Sequence, residues 1–183
     1  NDLVMADEGI RFDASLDKLA GLNPVTEGGV ITAGNASQIT DGAAAVMVCN
    51  DAGLKKIQAN PRAEIVSISV VGDDPVFMLT GPIPASIQAL KTANLTIDDM
   101  DLYEVNEAFA PVPLAWAEEL KADRSKLNVN GGAMALGHPL GATGAKLMTT
   151  LLHEMERRES TYGLQAICEG GGTANAAILK IIN

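Results

Sequence analysis

Two side chains that can exchange protons lie beside glycines in this sequence. His138 lies between a glycine and a proline in the glycine-rich stretch 130–145, and Cys168 shortly precedes the triple glycine 170–172. A histidine near exposed main-chain amides can transfer a proton or donate a hydrogen bond to an oxyanion. A nearby imidazole can also tune a thiol. The two segments therefore indicate chemistry in which an enolate or a tetrahedral oxyanion is stabilised.

Each candidate also has a structural explanation. Asn106 directly follows a predicted strand, so it either caps the next helix or lies where open α/β sheets place their sites. His138 could simply shape a turn, and a buried Cys168 would be inert. The stretch 130–145 matches neither GxxxxGK[ST] nor GxGxxG, so it predicts no nucleotide loop. We expect His153 on a helix surface and Cys49 in the core.

The elements that must position these residues alternate along the chain. Continuous apolar or β-branched runs predict five strands, at 43–49, 63–71, 102–105, 164–169 and 175–182. Helical spacing predicts helices at 52–58, with Asp51 as its N-cap, and at 84–93, 108–121 and 145–158. The order favours an α/β fold with a five-stranded, mixed and largely parallel sheet, helices on both faces and an antiparallel last strand.

Composition excludes several classes of protein. The 183 residues favour one domain, with 47% apolar and 20% charged residues, and 13 basic minus 23 acidic residues give a net charge of −10. We therefore expect no nucleic-acid partner. The sequence has no apolar run of about 18 residues and no secretory leader, so we expect no membrane partner. Two cysteines without a CxxC pair predict no metal site and a reducing, cytoplasmic location.

Five spaced motifs resemble those of the thiolase family, in its C-terminal half. They are GNAS at 34–37, GPIPA at 81–85, NEAF at 106–109, NGGAMALGHPLGATGA at 130–145 and CEGGG at 168–172. The resemblance extends from about residue 29 to the end of the sequence. It implies a thiolase-like half of βαβαβαββ type that pairs with a similar half. It also implies a homodimer or homotetramer in the full enzyme, with coenzyme A as substrate and no other cofactor.

The resemblance assigns a role to each matching position. It implies that His138 activates the nucleophilic cysteine and contributes to an oxyanion hole, and that Cys168 is the acid/base for the α-carbon proton. Asn106 would hold a water in the first oxyanion hole, and the Gly170 N–H would serve the second. The pantetheine channel would include the two residues Ser37 and Phe109.

One departure from the family pattern shapes the expected function. The acyl-accepting cysteine belongs to the N-terminal half, and neither Cys49 nor Cys168 matches it. We therefore expect that the N-terminal half is missing, with 1–34 as a lead-in segment and 35–183 as the C-terminal domain. The isolated chain should then be an inactive portion of an acyl-CoA C-acyltransferase. The alternatives are a ketoacyl synthase-like condensing enzyme and a non-catalytic module for lipid binding or assembly.

Overall fold

Four strands form one sheet, and helices occupy much of the chain around them. The computed structural model describes residues 3–182. The strands are β1 (Ala63–Gly72), β2 (Leu102–Val105), β3 (Tyr162–Glu169) and β4 (Thr173–Ile181). The helices are α1 (Leu16–Ala20), α2 (Asp51–Ile57), α3 (Pro82–Ala93), α4 (Pro111–Leu120), α5 (Ala133–Leu136) and α6 (Thr143–Arg157). Short 3-10 turns lie at Ile97–Asp99 and Arg124–Lys126.

The sheet is mixed, with the strand order β1-β4-β3-β2. Within residues 3–182, β2 and β3 pair in parallel, whereas β4 runs antiparallel to both β3 and β1. The antiparallel last strand is confirmed, but the expectation of a largely parallel sheet is wrong. The three-residue turn 170–172 is far too short for a crossover, so β3 and β4 must form a hairpin.

The sheet has four strands rather than the predicted five, because residues 43–49 form no strand. Met47 and Val48 are 77% and 67% exposed, and Cys49 is exposed rather than part of the core. A short apolar run cannot be assigned from periodicity alone, since a strand also needs a neighbour to pair with. No neighbouring strand lies along this run in the described part of the chain.

Prolines and left-handed caps set the ends of the two helices on one face of the sheet. Helices α3 and α4 begin at Pro82 and Pro111, where the fixed φ of proline suits a first turn and its missing N–H costs nothing. The predicted helix 108–121 accordingly begins three residues late. Asn94 and Lys121 end the helices with φ of 55° and 57°.

Helices cover both faces of the sheet, as expected. On one face, α3 and α4 enclose a core around Trp116, whose ring meets Tyr103 edge-on at 5.2 Å between centroids. The Ser67 and Ser69 hydroxyls of β1 donate to carbonyls of α3. On the other face, α6 packs against β2 and β4 through a second cluster that comprises Leu102, Leu151, Met155 and Leu179. The strand ends are thereby held between two packed layers.

The longest helix, α6, has 15 residues. No helix between residues 3 and 182 has the length and apolar character needed to cross a bilayer. Over the same residues, no group of three or more His, Cys, Asp or Glu side chains is arranged to hold a metal ion.

Candidate active site

The carboxyl ends of β2 and β3 bring two of the predicted site residues to one edge of the sheet. Asn106 follows β2, and its backbone N–H donates to the Ala166 carbonyl of β3 at 3.0 Å. Cys168 lies two residues further along β3. Because the two strands are parallel, both side chains belong to the edge where sheets of this class place their sites.

The glycine-rich loop carries His138 to the same edge. Its Nε2 lies 3.3 Å from Asn106 Nδ2, and its Nδ1 lies 2.6 Å from the Thr143 hydroxyl oxygen. The Thr143 hydroxyl donates its proton to the Pro139 carbonyl at 3.0 Å, so it must accept from Nδ1. This chain of bonds places the imidazole proton on Nδ1 and leaves Nε2 as an acceptor facing Asn106.

Burial and charge keep this imidazole neutral. Removal from water lowers the pKa of His138, and the nearby Lys146 ammonium lowers it further. The backbone N–H of His138 donates to the Gln38 carbonyl at 2.9 Å, and Gly137 before it has φ of 82°. A left-handed residue is needed there, which explains a glycine at this position. The ring is therefore neutral, with Nε2 free to accept a proton, and its position is set by Asn106, Thr143 and the backbone bond to Gln38.

One polar atom of the Asn106 side chain has no hydrogen-bond partner among the described residues. This atom, Oδ1, is buried, whereas Nδ2 faces His138. Buried amide oxygens are nearly always satisfied, so this one marks a place for a water or a donor group of a ligand. The predicted alternative, in which Asn106 caps the next helix, is wrong. That helix, α4, begins five residues later at Pro111 and has no side-chain cap.

Cys168 is 9% exposed and belongs to the core cluster on the α3 and α4 side. Burial raises the pKa of its thiol, and the charge of Glu169 raises it further. The thiol is therefore protonated at rest, able to donate a proton before it accepts one. This differs from a thiol tuned downward by a nearby imidazole, because desolvation outweighs any such effect here.

The triple glycine after Cys168 forms a tight hairpin turn. Gly171 and Gly172 have φ of 79° and 81°. The Gly172 carbonyl accepts from the Asp73 N–H at 2.6 Å, and a Cβ on Gly172 would lie 2.7 Å from the Asp73 carbonyl oxygen. A Cβ on Gly170, by contrast, would meet nothing within 4 Å. The backbone at Gly170 thus has free space beside it, whereas the backbone at Gly172 is packed against and bonded to Asp73.

The predicted pantetheine residues Ser37 and Phe109 also lie together. Ala36 and Phe109 form an antiparallel bridge, and the Ser37 N–H donates to the Ala108 carbonyl at 3.0 Å. The first and third motifs, which are about 70 residues apart in the sequence, therefore form one short ladder beside Asn106. The remaining histidine, His153, is exposed on α6 as predicted.

Sequence reasoning missed Glu107, which ties the strand end to the glycine-rich loop. Its carboxylate accepts from Asn128 Nδ2 at 2.8 Å and from the Met134 N–H at 3.2 Å. A Cβ on Gly132 would overlap this carboxylate. The Glu107 carboxylate therefore occupies space that is available only because residue 132 is a glycine. Thr143, five residues after His138, was also missed, and its position at the start of α6 was the available signal.

The site thus combines a mixed α/β sheet with Asn106, His138 and Cys168 at one sheet edge. Comparisons with known proteins identify the family. The family model "Thiolase, C-terminal domain" matches residues 59–181, and "Thiolase, N-terminal domain" matches residues 1–52. The chain belongs to the thiolase family. The expectation that the N-terminal half is missing is not confirmed, because residues 1–52 match the N-terminal domain; the division at residue 34 stays a prediction.

Similar curated proteins share these descriptions. The chain is 59% identical over 174 residues to a steroid 3-ketoacyl-CoA thiolase (FadA6) of Mycobacterium tuberculosis, covering 95% of this chain and 42% of that protein. It is 49% identical over 175 residues to an acetyl-CoA acetyltransferase of Cupriavidus necator, covering 95% and 44%. The chain therefore spans less than half the length of these relatives.

Solved structures show the same fold. Human mitochondrial 3-ketoacyl-CoA thiolase in complex with CoA superimposes with a TM-score of 0.89 at 45% identity, covering 98% of this chain and 46% of that one. Acetyl-CoA acetyltransferase of Bacillus anthracis gives a TM-score of 0.91 at 42% identity, covering 96% and 45%. The four-stranded mixed sheet is thus a part of the thiolase fold.

Proposed function

We propose that this chain carries the histidine, the asparagine and the acid/base cysteine of an acyl-CoA C-acyltransferase. The enzyme would cleave 3-ketoacyl-CoA by thiolysis, or condense two acyl-CoA molecules in the Claisen direction. The observation that carries the proposal is the contact between Asn106 Nδ2 and the acceptor Nε2 of His138. This contact lies at the sheet edge where β3 ends, one residue after Cys168.

The resting imidazole suits the first half of such a reaction. An unprotonated Nε2 can take the proton of an attacking thiol, after which the same nitrogen carries an N–H. That N–H, together with the Asn106 amide or a water bound to it, would then donate to the thioester oxygen. Each donor aimed at a developing oxyanion contributes about 3 kcal/mol. One histidine would thereby activate the nucleophile and stabilise the charge that forms.

Cys168 suits the proton transfer at the α-carbon. In thiolysis, C–C cleavage leaves an enolate of the shorter acyl-CoA, and the Cys168 thiol would donate its proton to that carbon. In condensation the thiolate would remove the same proton. The raised pKa of the Cys168 thiol favours the protonated resting state that thiolysis requires. The Gly170 N–H would stabilise the second oxyanion. Ser37 and Phe109, which the Ala36–Phe109 bridge brings together, would line the pantetheine channel.

We further propose that the acyl-accepting cysteine lies in the part of the family's length that this chain does not span. Cys49 lines a groove on the α6 side of the sheet, with Met148, His153 and Leu179. Asn106, His138 and Cys168 do not line this groove, so Cys49 is not placed to share their substrate. The chain by itself should not turn over a 3-ketoacyl-CoA.

An oligomeric full enzyme is part of the proposal. Several large apolar side chains of the first 80 residues are open to solvent, among them Phe12 (92%), Ile39 (99%) and Val76 (83%). Apolar surface of this kind is typical of an interface. We propose that it is covered by the remaining N-terminal part and by a second subunit, as a homodimer or homotetramer. A cytoplasmic location is proposed on composition alone.

A chimera tests the proposal. The part of the Mycobacterium tuberculosis relative that this chain does not cover is fused to residues 1–183, and thiolysis is assayed with acetoacetyl-CoA and with longer and steroid-derived 3-ketoacyl-CoA. We expect turnover by the chimera and none by the chain alone. His138→Ala should lose more than 100-fold in kcat. The matched control, His153→Ala, should retain wild-type activity. Full activity of the His138 variant would exclude the proposed role.

A further inference from the structure

Lys146 makes a contact that none of the assigned motif roles explains. Its ammonium group donates to two consecutive backbone carbonyls, that of Leu136 at 3.1 Å and that of Gly137 at 2.9 Å. These are the last two residues before His138. The lysine projects from the first turn of α6, the same turn whose Thr143 hydroxyl accepts from the imidazole. One helix end therefore holds both the backbone and the ring of the histidine.

The geometry of this contact is specific, because one ammonium group bonds to two consecutive carbonyls. The side chain is half-buried, and removal from water lowers the pKa of Lys146 while the neighbouring Glu104 raises it. A long, flexible cation gives up rotamer freedom when it is fixed, so two carbonyls that both accept from it define a specific arrangement. Gly137 itself has φ of 82°, and because glycine is free to adopt many conformations, a bond to its carbonyl restricts the loop.

Burial lowers the pKa of His138 most, and the charge of Lys146 lowers it further. The side chains in contact with the ring, Asn106 and Thr143, are neutral. Burial raises the pKa of the Glu104 carboxyl, the charges of Glu107 and Glu154 raise it further, and the charge of Lys146 lowers it. Lys146 thus lies between a buried acid and the histidine loop.

We propose that Lys146 is a positioning residue for His138: it clamps the two carbonyls before the histidine and thereby holds the imidazole beside Asn106. The proposal rests on the proposed function for its catalytic meaning. It concerns the loop and the ring in this chain, so it can be tested without turnover. Lys146 would fix the backbone position of the loop before His138, whereas Thr143 fixes the tautomer of the imidazole.

The test uses ¹⁵N NMR of the chain, with Lys146→Met as the main variant. We expect the backbone amide of His138, which bonds to Gln38, to exchange with solvent at least about 10-fold faster. The pKa of His138 should rise, because a repelling cation has been removed. Lys146→Arg, which keeps the charge and the donors, should restore both properties. Lys91→Met, at an exposed position on α3, is the matched control and should change neither.

Two further readings separate a local effect from a general loss of structure. The Trp116 indole N–H, which donates to Ser86 in the core, should keep its chemical shift in every variant. Glu104→Gln should leave the His138 amide protected at pH 7, because the clamp is made to backbone carbonyls. If Lys146→Met leaves exchange and the His138 pKa unchanged, the proposal is wrong. It is also wrong if Glu104→Gln releases the loop as fully as Lys146→Met does. An inactive chimera with a normal Lys146 response would contradict only the proposed function.

Discussion

Replacing Glu104 with glutamine should make the chain more stable at neutral pH and remove part of its pH dependence. Glu104 lies in β2 with 2% of its surface exposed, and burial raises its pKa from 4.5 to about 8, with the charge of Glu107 adding to the effect. Its Oε2 has no partner in the described structure, and the same holds for Oε1 of Gln165, its register partner on β3. A protonated Glu104 can donate to that amide oxygen, which would satisfy both atoms.

The magnitude follows from the two pKa values. The folded chain holds the Glu104 proton more tightly than the unfolded chain does, so the stabilising contribution is complete below pH 4.5 and is lost as the pH rises towards 8. Each pH unit between these limits costs about 1.4 kcal/mol, and the full interval amounts to about 5 kcal/mol. Between pH 5 and pH 7 the loss should be about 2–3 kcal/mol.

Urea unfolding followed by Trp116 fluorescence at pH 5, 6 and 7 measures this loss. The glutamine variant keeps a donor for Gln165 but cannot ionise, so its stability should exceed that of the wild type increasingly as the pH rises. Glu64→Gln, at an exposed position on β1, is the matched control and should follow the wild type. Parallel pH profiles for wild type and Glu104→Gln would refute the assignment of a protonated, buried carboxyl.

The other predictions concern the loop and the turn. Thr143→Val removes the acceptor of the His138 Nδ1 proton, so imidazole ¹⁵N shifts should show a mixture of tautomers. Glu107→Ala removes the acceptor of the Met134 N–H in the glycine-rich loop and of one Asn128 Nδ2 proton, which should cost about 1–3 kcal/mol in urea unfolding. Gly172→Ala puts a Cβ against the Asp73 carbonyl at a left-handed φ, and should lower the melting temperature of the chain more than Gly170→Ala.

Each of these predictions has a contradicting result. A single Nδ1-protonated tautomer in Thr143→Val would show that another group holds the ring. Wild-type stability in Glu107→Ala would mean that the loop is held without its carboxylate contacts. Equal melting temperatures for the two glycine variants would exclude the close approach at residue 172.

Local signals in the sequence predicted most elements but only part of their pairing. The β-branched run of β1, the amphipathic spacing of α6 and the hairpin around 170–172 are determined by nearby residues, and all three were predicted. The structure of the run 43–49 was predicted wrongly. Its apolar composition fits a strand, but a strand forms only where a partner strand is available. The single parallel pair within residues 3–182 likewise depends on strand order, which periodicity does not specify.

The candidate site was predicted through motifs, and its supports were not. The motifs placed Asn106, His138 and Cys168 at strand ends or loops, and the structure brings Asn106 and His138 into contact. Glu107 and Lys146 act through contacts with backbone groups about 10 to 27 residues away in the sequence. Such contacts carry no periodic signal. Glu104 is a charged residue within the otherwise uncharged strand β2, and this local signal could have indicated a polar network.

Exchange of the α-protons of acetyl-CoA tests most directly whether Cys168 is the acid/base of a thiolase site. The chimera is incubated with acetyl-CoA in D₂O, and deuterium at the α-carbon is followed by NMR while mass spectrometry records acylation of the nucleophilic cysteine. We expect the wild type to exchange these protons. Cys168→Ala should become acylated normally but exchange at least about 100-fold more slowly. Exchange at the wild-type rate in Cys168→Ala would contradict the assignment.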